Sequence, residues 1–211
     1  MTSLDVIEES GNKIVVKLKG IPIQYANALR RICLSGVPTF AIDDVVIIEN
    51  SSVLADEGVA HRLAMTPLRT DLSRFVEPSA CDCHSELGCS KCRVLLMLDS
   101  GVSDTTRTVT SSDLSSEDEV VKPVSSNIPI IVLAPGQKLK VEAYARLGRG
   151  NEHAKWNSST VAVLTQTNNP EEHILTVETV GNLTPSEVIR AAIDELEKRL
   201  GEFQQTVATL G

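Results

Sequence analysis

The chain has 211 residues and is acidic, with 28 Asp and Glu against 20 Lys and Arg and a net charge of -8. Extended nucleic-acid binding depends on clustered basic side chains, so this balance argues against a direct hold on DNA. The 42% hydrophobic content suits a globular core, and the longest apolar runs, 45–48 and 128–134, are too short to cross a bilayer. Residues 1–9 carry three acids and no base, so we expect neither a secretory signal nor a membrane role.

A β-hairpin and a helix are the first predicted elements. Residues 6–7 lead into a turn at 10–12, and apolar residues then alternate with lysines over 13–19, which is typical of a half-buried strand. Tyr25, Ala28, Leu29 and Ile32 follow at helical spacing and predict a helix over 24–35, before a stop at 36–38. Cys33 lies beside that apolar face, and we interpret it as a buried thiol.

The middle of the chain predicts a mostly antiparallel sheet. Short apolar runs separated by polar turns are typical of such strands. The candidate strands are 45–48, 94–98, 106–110, 128–133, 139–145 and 161–165. Residues 111–119 hold four acids and four serines, and we interpret them as a solvated loop.

The last part of the chain predicts a strand over 174–180 and a helix over 185–203. Thr184, Pro185 and Glu187 supply an N-cap, a first-turn proline and a capping box. The apolar residues of this helix repeat at spacings of four and three, which is a heptad pattern. They are Ile189, Ile193, Leu196, Leu200 and Phe203. The pattern is compatible with a partner helix and also with packing on the chain's own sheet.

Four cysteines form the sharpest motif of the chain. Cys81, Cys83, Cys89 and Cys92 follow the spacing C-x-C-x5-C-x2-C, which allows four thiolates to bind one tetrahedral ion. Two disulfides would form small strained rings, and reduced thiols are the remaining alternative. His84 within the loop could replace one thiolate, but the cysteines already supply a complete set. Four available thiolates leave no vacant position, so we interpret the ion as structural.

A catalytic centre is not evident in the sequence. Asp43 and Asp44 are adjacent, so on a strand they point to opposite faces and form a poor magnesium site. The four histidines are scattered, and no Ser or Cys lies in a recognisable nucleophile motif.

Four separated motifs carry a resemblance to a known family. In chain order they are Asn27-Ala28-Leu29-Arg30-Arg31-Ile32; Ala60-His61-Arg62-Leu63 with Pro67-Leu68; Gly148-Arg149-Gly150 with His153-Ala154-Lys155-Trp156; and Glu178-Thr179-Val180-Gly181 leading to Pro185. Together they resemble the D-type subunits of archaeal DNA-directed RNA polymerase, whose relatives include the eukaryotic third-largest subunit and the bacterial α-subunit N-terminal domain.

The resemblance implies an α+β fold in which one domain is inserted into another. An α-like dimerisation domain would comprise residues 1–43 and 170–211, and residues 44–169 would form a mostly antiparallel β domain carrying the metal loop 81–92. The two predicted helices would pair with the small α-like subunit L. The implied interface residues are Tyr25, Leu29, Ile32, Ile189, Ile193, Leu196, Leu200 and Phe203.

The implied function is assembly in the cytoplasm. The D and L pair would form the platform for the two large catalytic subunits, joined by small subunits N and P, and DNA would be contacted only through the complex. Arg30, Arg31, Lys155 and Trp156 are the implied large-subunit contacts. The alternatives are a solvated helix face for the arginines and a Trp that covers the inserted sheet. The chain would belong to a nucleotidyltransferase without being catalytic itself.

The cysteine loop departs from the resemblance in its spacing. Eukaryotic relatives have three residues between the second and third cysteines, whereas Cys83 and Cys89 are separated by five. Some archaeal relatives hold an iron-sulfur cluster in an insertion with later cysteines, and no cysteine follows Cys92 here. Zinc is the favoured ion and an iron-sulfur cluster the alternative. The competing interpretation of the chain is a free-standing zinc-containing adaptor or redox protein.

Overall fold

The computed structural model describes residues 2–85 and 88–209. Residues 86 and 87 of the predicted metal loop, and residues 1, 210 and 211 of the predicted dimerisation domain, lie outside these ranges. The helices and strands are, in chain order, β1 Ser3–Ser10, β2 Lys13–Lys19, α1 Ile23–Ser35, β3 Thr39–Asn50, α2 Asp56–Ala64, β4 Arg93–Asp99, β5 Arg107–Thr110, β6 Leu114–Ser116, β7 Pro129–Leu133, β8 Leu139–Gly148, β9 Val161–Gln166, β10 Glu172–Glu178 and α3 Pro185–Ala208. The strand pairs are antiparallel, so the α+β class is as predicted.

The chain divides into two compact units. The first comprises Met1–Pro38 and Arg149–Gly211, and the second comprises Thr39–Gly148. This division differs from the boundaries predicted at 43 and 169. β3 pairs with β8 from Thr39 onwards, which draws residues 39–43 into the second unit. β9 pairs with β10 over its whole length and therefore belongs to the first unit.

The first unit is a four-stranded sheet in the order β1-β2-β10-β9, on which α1 and α3 pack. The predicted hairpin is present, and Ile14, Val16 and Leu18 of β2 are buried as the alternating pattern requires. The residues of β1 are all exposed, because this strand lies at the edge of the sheet. Its pairing with β2 shifts register between Val6 and Glu8, which marks a β-bulge.

The helix α1 buries one face within the first unit. The buried residues of this face are Ala26, Leu29, Ile32 and Cys33. Burial raises the pKa of the Cys33 thiol to about 12, so the thiol is protonated at neutral pH. The carbonyl of Cys33 accepts hydrogen bonds from the Ser158 and Ser159 hydroxyls at 2.9 and 2.6 Å. Cys33 is thus the buried thiol that the sequence predicted.

The helix α3 begins with the predicted cap and extends to Ala208, further than the predicted end at 203. The Thr184 hydroxyl accepts a hydrogen bond from the Glu187 backbone, and the Glu187 carboxylate accepts one from the Thr184 backbone. This reciprocal capping box satisfies two backbone donors at the start of the helix. Pro185 follows at the first helical position.

The second unit contains a sheet in the order β3-β8-β4-β6, a ribbon of β5 and β7, and the helix α2. A single apolar cluster fills it, with α2 contributing Val59 and Leu63. The prediction of a plain loop over 111–119 is wrong, because a short 3-10 turn at Ser111–Asp113 leads into β6, which pairs with β4. Along the described residues, the helices lack the combination of length and apolar character needed to cross a bilayer.

Candidate metal centre and helix surface

The four cysteines converge in space. Their sulfurs all lie within 4.8 Å of one another. The Sγ distances are 3.7 Å for Cys81 and Cys89, 3.8 Å for Cys83 and Cys92, and 3.9 Å for Cys89 and Cys92. A tetrahedral ion with metal–sulfur bonds of about 2.3 Å places its ligands about 3.8 Å apart. The cysteine group therefore has the dimensions of a site for one tetrahedrally bound metal ion.

Local backbone bonds bring the last two cysteines together. The N–H groups of Cys92 and Arg93 both donate to the Cys89 carbonyl, at 3.0 and 2.9 Å, which closes a tight turn. The Cys89 N–H points at the Cys92 sulfur at 3.2 Å. Cys81 and Cys92 are buried, whereas Cys83 is exposed. His84 is not a member of the cluster among the described residues, so the three-sulfur, one-imidazole alternative is not favoured.

The cysteine loop is held to the second unit at both ends. Before the loop, Phe75 packs edge-on against Phe40, with ring centroids 4.9 Å apart, and the Val76 N–H donates to the Lys91 carbonyl at 3.1 Å. After the loop, Cys92 leads directly into β4. The loop thus closes across the start of a strand whose position is fixed by the core.

Gly88 and Arg93 shape the inner side of the loop. The Arg93 guanidinium forms an ion pair with Asp44 and lies 4.8 Å above the Tyr144 ring. Gly88 has φ +75, and a Cβ at this position would lie 3.0 Å from the Arg93 Cβ and 3.3 Å from the Cys92 sulfur. Both the backbone conformation and the close approach therefore require glycine at position 88. The sequence analysis missed both residues, although a glycine directly before a ligand was a usable signal.

The thiols differ in acidity even without an ion. A hydrogen bond from the Lys91 backbone lowers the pKa of Cys89 to about 7, whereas burial raises the pKa of Cys92 to about 12. A metal ion binds thiolates, so binding at neutral pH must displace the Cys92 proton. Metal affinity should consequently rise with pH.

The predicted interface residues divide into two groups by exposure. Leu29, Ile32 and Ile189 are buried within the first unit and serve the chain's own packing, and their predicted place in an interface stays a prediction. Leu196 is half-buried. The exposed members are Tyr25, Ile193, Leu200 and Phe203. We call Ile193, Leu200 and Phe203 of α3 the exposed seam.

The exposed seam belongs to the part of α3 that the chain does not bury. The buried residues of α3 are Pro185, Val188, Ile189 and Ala192, all in its first two turns. Within the described residues, the helix continues to Ala208 without a further buried position, and Phe203 is 67% exposed. A helical segment of this length is only marginally stable in water by itself. The second half of α3 therefore lacks the packing that normally stabilises a helix.

Arg30 and Arg31 are adjacent in α1 but have different surroundings. The Arg30 guanidinium donates to the Asn27 side chain and to the Ala162 carbonyl, both at 3.4 Å. Arg31 is exposed, and in the part of the chain that the structure describes it has neither a hydrogen-bond nor an ion-pair partner. One residue along a helix turns the side chain by about 100°. The predicted pair therefore separates into one arginine bound to its own unit and one open to solvent.

Trp156 is buried within the first unit, with 3% of its surface exposed. Its predicted role as an anchor in a large-subunit contact stays a prediction. Its loop also belongs to the first unit rather than to the inserted domain. Lys155 is half-buried, and its ammonium lies 4.2 Å from the centroid of the Trp156 ring. The lysine, rather than the indole, remains accessible.

Arg149 joins α1 to α3. Its guanidinium donates to the Gly36 carbonyl at 2.6 Å and forms an ion pair with Glu195 at 2.7 Å. Glu195 also accepts from Arg199 at 2.6 Å. Burial raises the pKa of the Glu195 carboxyl, but the Arg199 and Arg149 guanidiniums outweigh it and hold this pKa below its ordinary value. The sequence analysis named Arg149 only as part of a motif and missed this internal role, because the partner residue Glu195 is distant in sequence.

A family model described as the RNA polymerase Rpb3/RpoA insert domain matches residues 45–179. This span is more than half of the chain. The chain belongs to the RNA polymerase Rpb3/RpoA family. The matched span includes all four cysteines of the metal centre, so the candidate ion site lies within the family's characteristic region.

Curated relatives agree with the Rpb3/RpoA assignment. DNA-directed RNA polymerase subunit Rpo3 of Methanosphaera stadtmanae is 42% identical over 160 residues, which is 75% of this chain and 58% of that protein. The Rpo3 of Pyrococcus furiosus is 46% identical over 158 residues, covering 75% and 57%. DNA-directed RNA polymerase II subunit rpb3 of Dictyostelium discoideum is 41% identical over 170 residues, covering 75% and 56%. The chain spans less than two thirds of the length of these relatives.

Proposed function

We propose that this chain is a non-catalytic assembly subunit of a DNA-directed RNA polymerase. It would pair with the small α-like subunit L through α1 and α3 and support the two large catalytic subunits, with small subunits N and P joining the assembly. DNA would be reached only through the complex, in the cytoplasm. The observation that carries the proposal is the exposed seam of α3 in a chain of the Rpb3/RpoA family.

The exposed seam has the chemistry of an interface between helices. Ile193, Leu200 and Phe203 keep the spacing of a heptad pattern, and the chain itself leaves all three exposed. These side chains are 43%, 50% and 67% exposed, so covering them would contribute roughly 0.7–2 kcal/mol each, about half of the value for full burial. Burial on this scale would also offset the cost of ordering the second half of α3. A partner helix with its own apolar stripe satisfies both requirements.

The acidic pair of β3 supports a non-catalytic role. The Asp43 carboxylate accepts from Arg146 at 2.6 Å, and Asp44 is paired with Arg93. An arginine already neutralises each carboxylate, so neither is available to bind magnesium for nucleotidyl transfer. The chain would therefore position the catalytic subunits of the polymerase and supply no catalytic residues itself.

The proposed ion of the cysteine loop is one structural zinc. The sulfurs lie at the separation that a single tetrahedral ion requires. In an iron-sulfur cluster of the four-cysteine type, the thiolates bind different irons and are spread further apart, so the compact arrangement favours zinc. Cys81, Cys83, Cys89 and Cys92 would hold the ion and fix the loop, and Cys33, buried elsewhere, would stay free.

Co-expression with subunit L tests the proposal. We expect the chain alone to aggregate or to elute as a poorly defined species, and the pair to elute as a one-to-one heterodimer in size-exclusion chromatography with light scattering. The large subunits should then be retained by the tagged pair, but not by this chain alone or by subunit L alone. A well-behaved monomer that retains none of these subunits would contradict the proposal and favour the adaptor or redox alternative.

A further inference from the structure

The strand β3 forms one edge of the sheet in the second unit. It is the outermost strand in the order β3-β8-β4-β6 and is hydrogen-bonded to β8. Its middle, residues 45–48, is an apolar run of two valines and two isoleucines without a charge, a proline or a glycine. Bulges between residues 42 and 44 and between residues 47 and 49 limit regular pairing to this short stretch. Native proteins usually protect an edge with charges, prolines or a covering segment, so an apolar run at an edge calls for an explanation.

The hydrogen bonds of β8 show which backbone groups of β3 face the edge. The Lys138 carbonyl accepts at 3.0 Å from the N–H of Ser51, directly after β3. The Leu139 carbonyl accepts at 2.9 Å from an N–H on the opposite side, directly after β4. Backbone groups alternate between the two neighbours of an antiparallel strand, so Val141 and Ala143 also bond towards β4.

Val45 and Ile47 therefore direct their backbone groups away from β8. They lie opposite the two residues of β8 that bond towards β4. In the part of the chain that the structure describes, the N–H and C=O groups that they turn to the edge make no hydrogen bond. The start of the strand differs, because the Phe40 N–H donates to the Thr70 hydroxyl at 2.9 Å. The open part of the edge is thus the apolar run itself.

The side chains of the run are also only partly covered. Val45 and Ile47 pack against the apolar cluster of the second unit but are half-buried rather than buried. Val46 and Ile48 are exposed on the outer face of the sheet. An added strand would cover all four side chains and pair the backbone groups at the same time.

We infer that the β3 edge binds an extended segment of another polypeptide by strand addition. The backbone of that segment exchanges N–H···O=C hydrogen bonds with Val45 and Ile47, and its apolar side chains at alternate positions contact Val46 and Ile48. A helix satisfies its own backbone groups, so it cannot pair with these. The inference goes beyond the proposed function, because neither α1 nor α3 takes part in it.

The ends of the run indicate the charge of the occupant. Asp44 precedes the run and Glu49 follows it, and both side chains remain exposed in their ion pairs with Arg93 and Lys138. Basic residues at the ends of the added segment are therefore favoured. Pairing between the β3 edges of two copies of this chain would instead bring these acidic ends together, at a net charge of -8 per chain. The occupant that fits is an extended, apolar segment with basic ends.

Residue-resolved hydrogen exchange in the native assembly tests the inference. The assembly is isolated from its host through a tag on this chain, so no partner is chosen in advance. The Val46 N–H bonds towards β8 and serves as the internal reference. With a strand added, the Val45 and Ile47 amides should exchange within about 10-fold of the Val46 rate, because each is then hydrogen-bonded. Faster exchange of these two amides would overturn the inference.

Two matched pairs of variants test the contact itself. Val45→Pro removes an N–H at the edge, whereas Val45→Ala keeps it, so exchange of the Ile47 amide in the assembly should rise about 10-fold or more only with proline. Val46→Lys places a charge beside the edge and should have a similar effect. Met97→Lys is its control, because Met97 is exposed on the same face but lies on the interior strand β4. Equal exchange within either pair would contradict strand addition, and circular dichroism would check that each variant folds.

A photo-crosslinker at position 48 identifies the occupant. Ile48 is exposed beside the edge, so p-benzoylphenylalanine there should join to a different polypeptide, within a segment of alternating apolar residues. A crosslink to a second copy of this chain, or to another segment of the same chain, would overturn the inference. These outcomes leave pairing with subunit L untouched, since that pairing has its own test by size-exclusion chromatography.

Discussion

The cysteine loop and the second half of α3 both receive little support from the apolar cores of their units. The loop needs an ion to stabilise it, whereas the helix needs an apolar surface. The loop brings four ligands to within 4.8 Å of one another, so a single ion completes it without another chain. The second half of α3 keeps its apolar side chains exposed, and covering them takes a second apolar surface that the described residues do not supply. A short loop can thus be closed by a few strong bonds, whereas a helix face needs a large contact area.

The exposed seam is the place where a single change should have the largest effect. Leu200→Asp would place a charge against the apolar face of the partner helix and should weaken pairing by at least about 3 kcal/mol, or more than 100-fold. Because Leu200 is 50% exposed in the chain alone, the variant should still fold. Analytical ultracentrifugation of the co-expressed pair would measure the loss. Lys198→Asp is the control, and undiminished pairing of Leu200→Asp would show that the seam faces solvent in the assembly.

The structural effect of losing the metal should be confined to the second unit. Cys89→Ser, or a chelator, should disorder the segment near residues 78–93 and expose it to proteases, because few buried apolar groups hold that segment in place. The first unit has its own sheet and helix pair, so pairing with L should persist. Elemental analysis should give one zinc per chain before treatment. Stoichiometric iron and sulfide with visible absorbance would show that the loop holds an iron-sulfur cluster instead of zinc. Loss of pairing would show that the two regions depend on each other.

Gly88→Ala should weaken metal binding without removing a ligand. The added Cβ would meet Arg93 and the Cys92 sulfur, and φ +75 is unfavourable for alanine, so we expect metal affinity to fall about 10-fold in a competition with a chromophoric chelator. Gly136→Ala is the matched control, because Gly136 has φ +78 but no neighbouring atom within 4 Å of the added Cβ. Equal metal affinity for Gly88→Ala and the unmodified chain would show that the loop tolerates the contact.

The smallest expected effect concerns Glu195 and pH. The folded state lowers the pKa of this carboxyl from its ordinary value of 4.5, so it contributes stability above pH 4.5 that is lost as the pH falls towards the lowered pKa. Glu195→Gln should cost about 1–3 kcal/mol at pH 7 and progressively less on acidification below pH 4.5. Urea unfolding of the L-bound chain from pH 7 to pH 3 would measure this difference. A constant difference over that range would exclude the ionised pair as its source.

Elements with a strong local pattern were predictable from the sequence. The hairpin over 3–19, α1, the capped start of α3 and the convergence of the four cysteines follow from alternation, helical spacing, a capping box and ligand spacing. α2 was missed because Ala55 supplies no side-chain cap, Gly58 lies inside the helix, and only Val59 and Leu63 mark its buried face. The local sequence of α2 therefore gives little indication of a helix.

Features that depend on long-range pairing were not predictable. The sequence indicates a strand at 161–165, but its assignment to the first unit depends on the pairing of β9 with β10. In the same way, nothing in the local sequence indicates that Trp156 is buried or that Arg149 contacts Glu195. The motif containing Arg30 and Arg31 gives both residues equal weight, and only the orientation of α1 separates them.

The bulged edge strand β1 has a consequence for the behaviour of the chain at high concentration. An open sheet edge is a template for joining the sheets of two molecules, and long, flat, uncharged edges favour such growth. Here the register shift between Val6 and Glu8 interrupts the edge, and the ion pairs of Asp5 with Lys19 and of Glu8 with Lys13 keep it charged. The edge is therefore a poor template for fibre-like self-association of the chain.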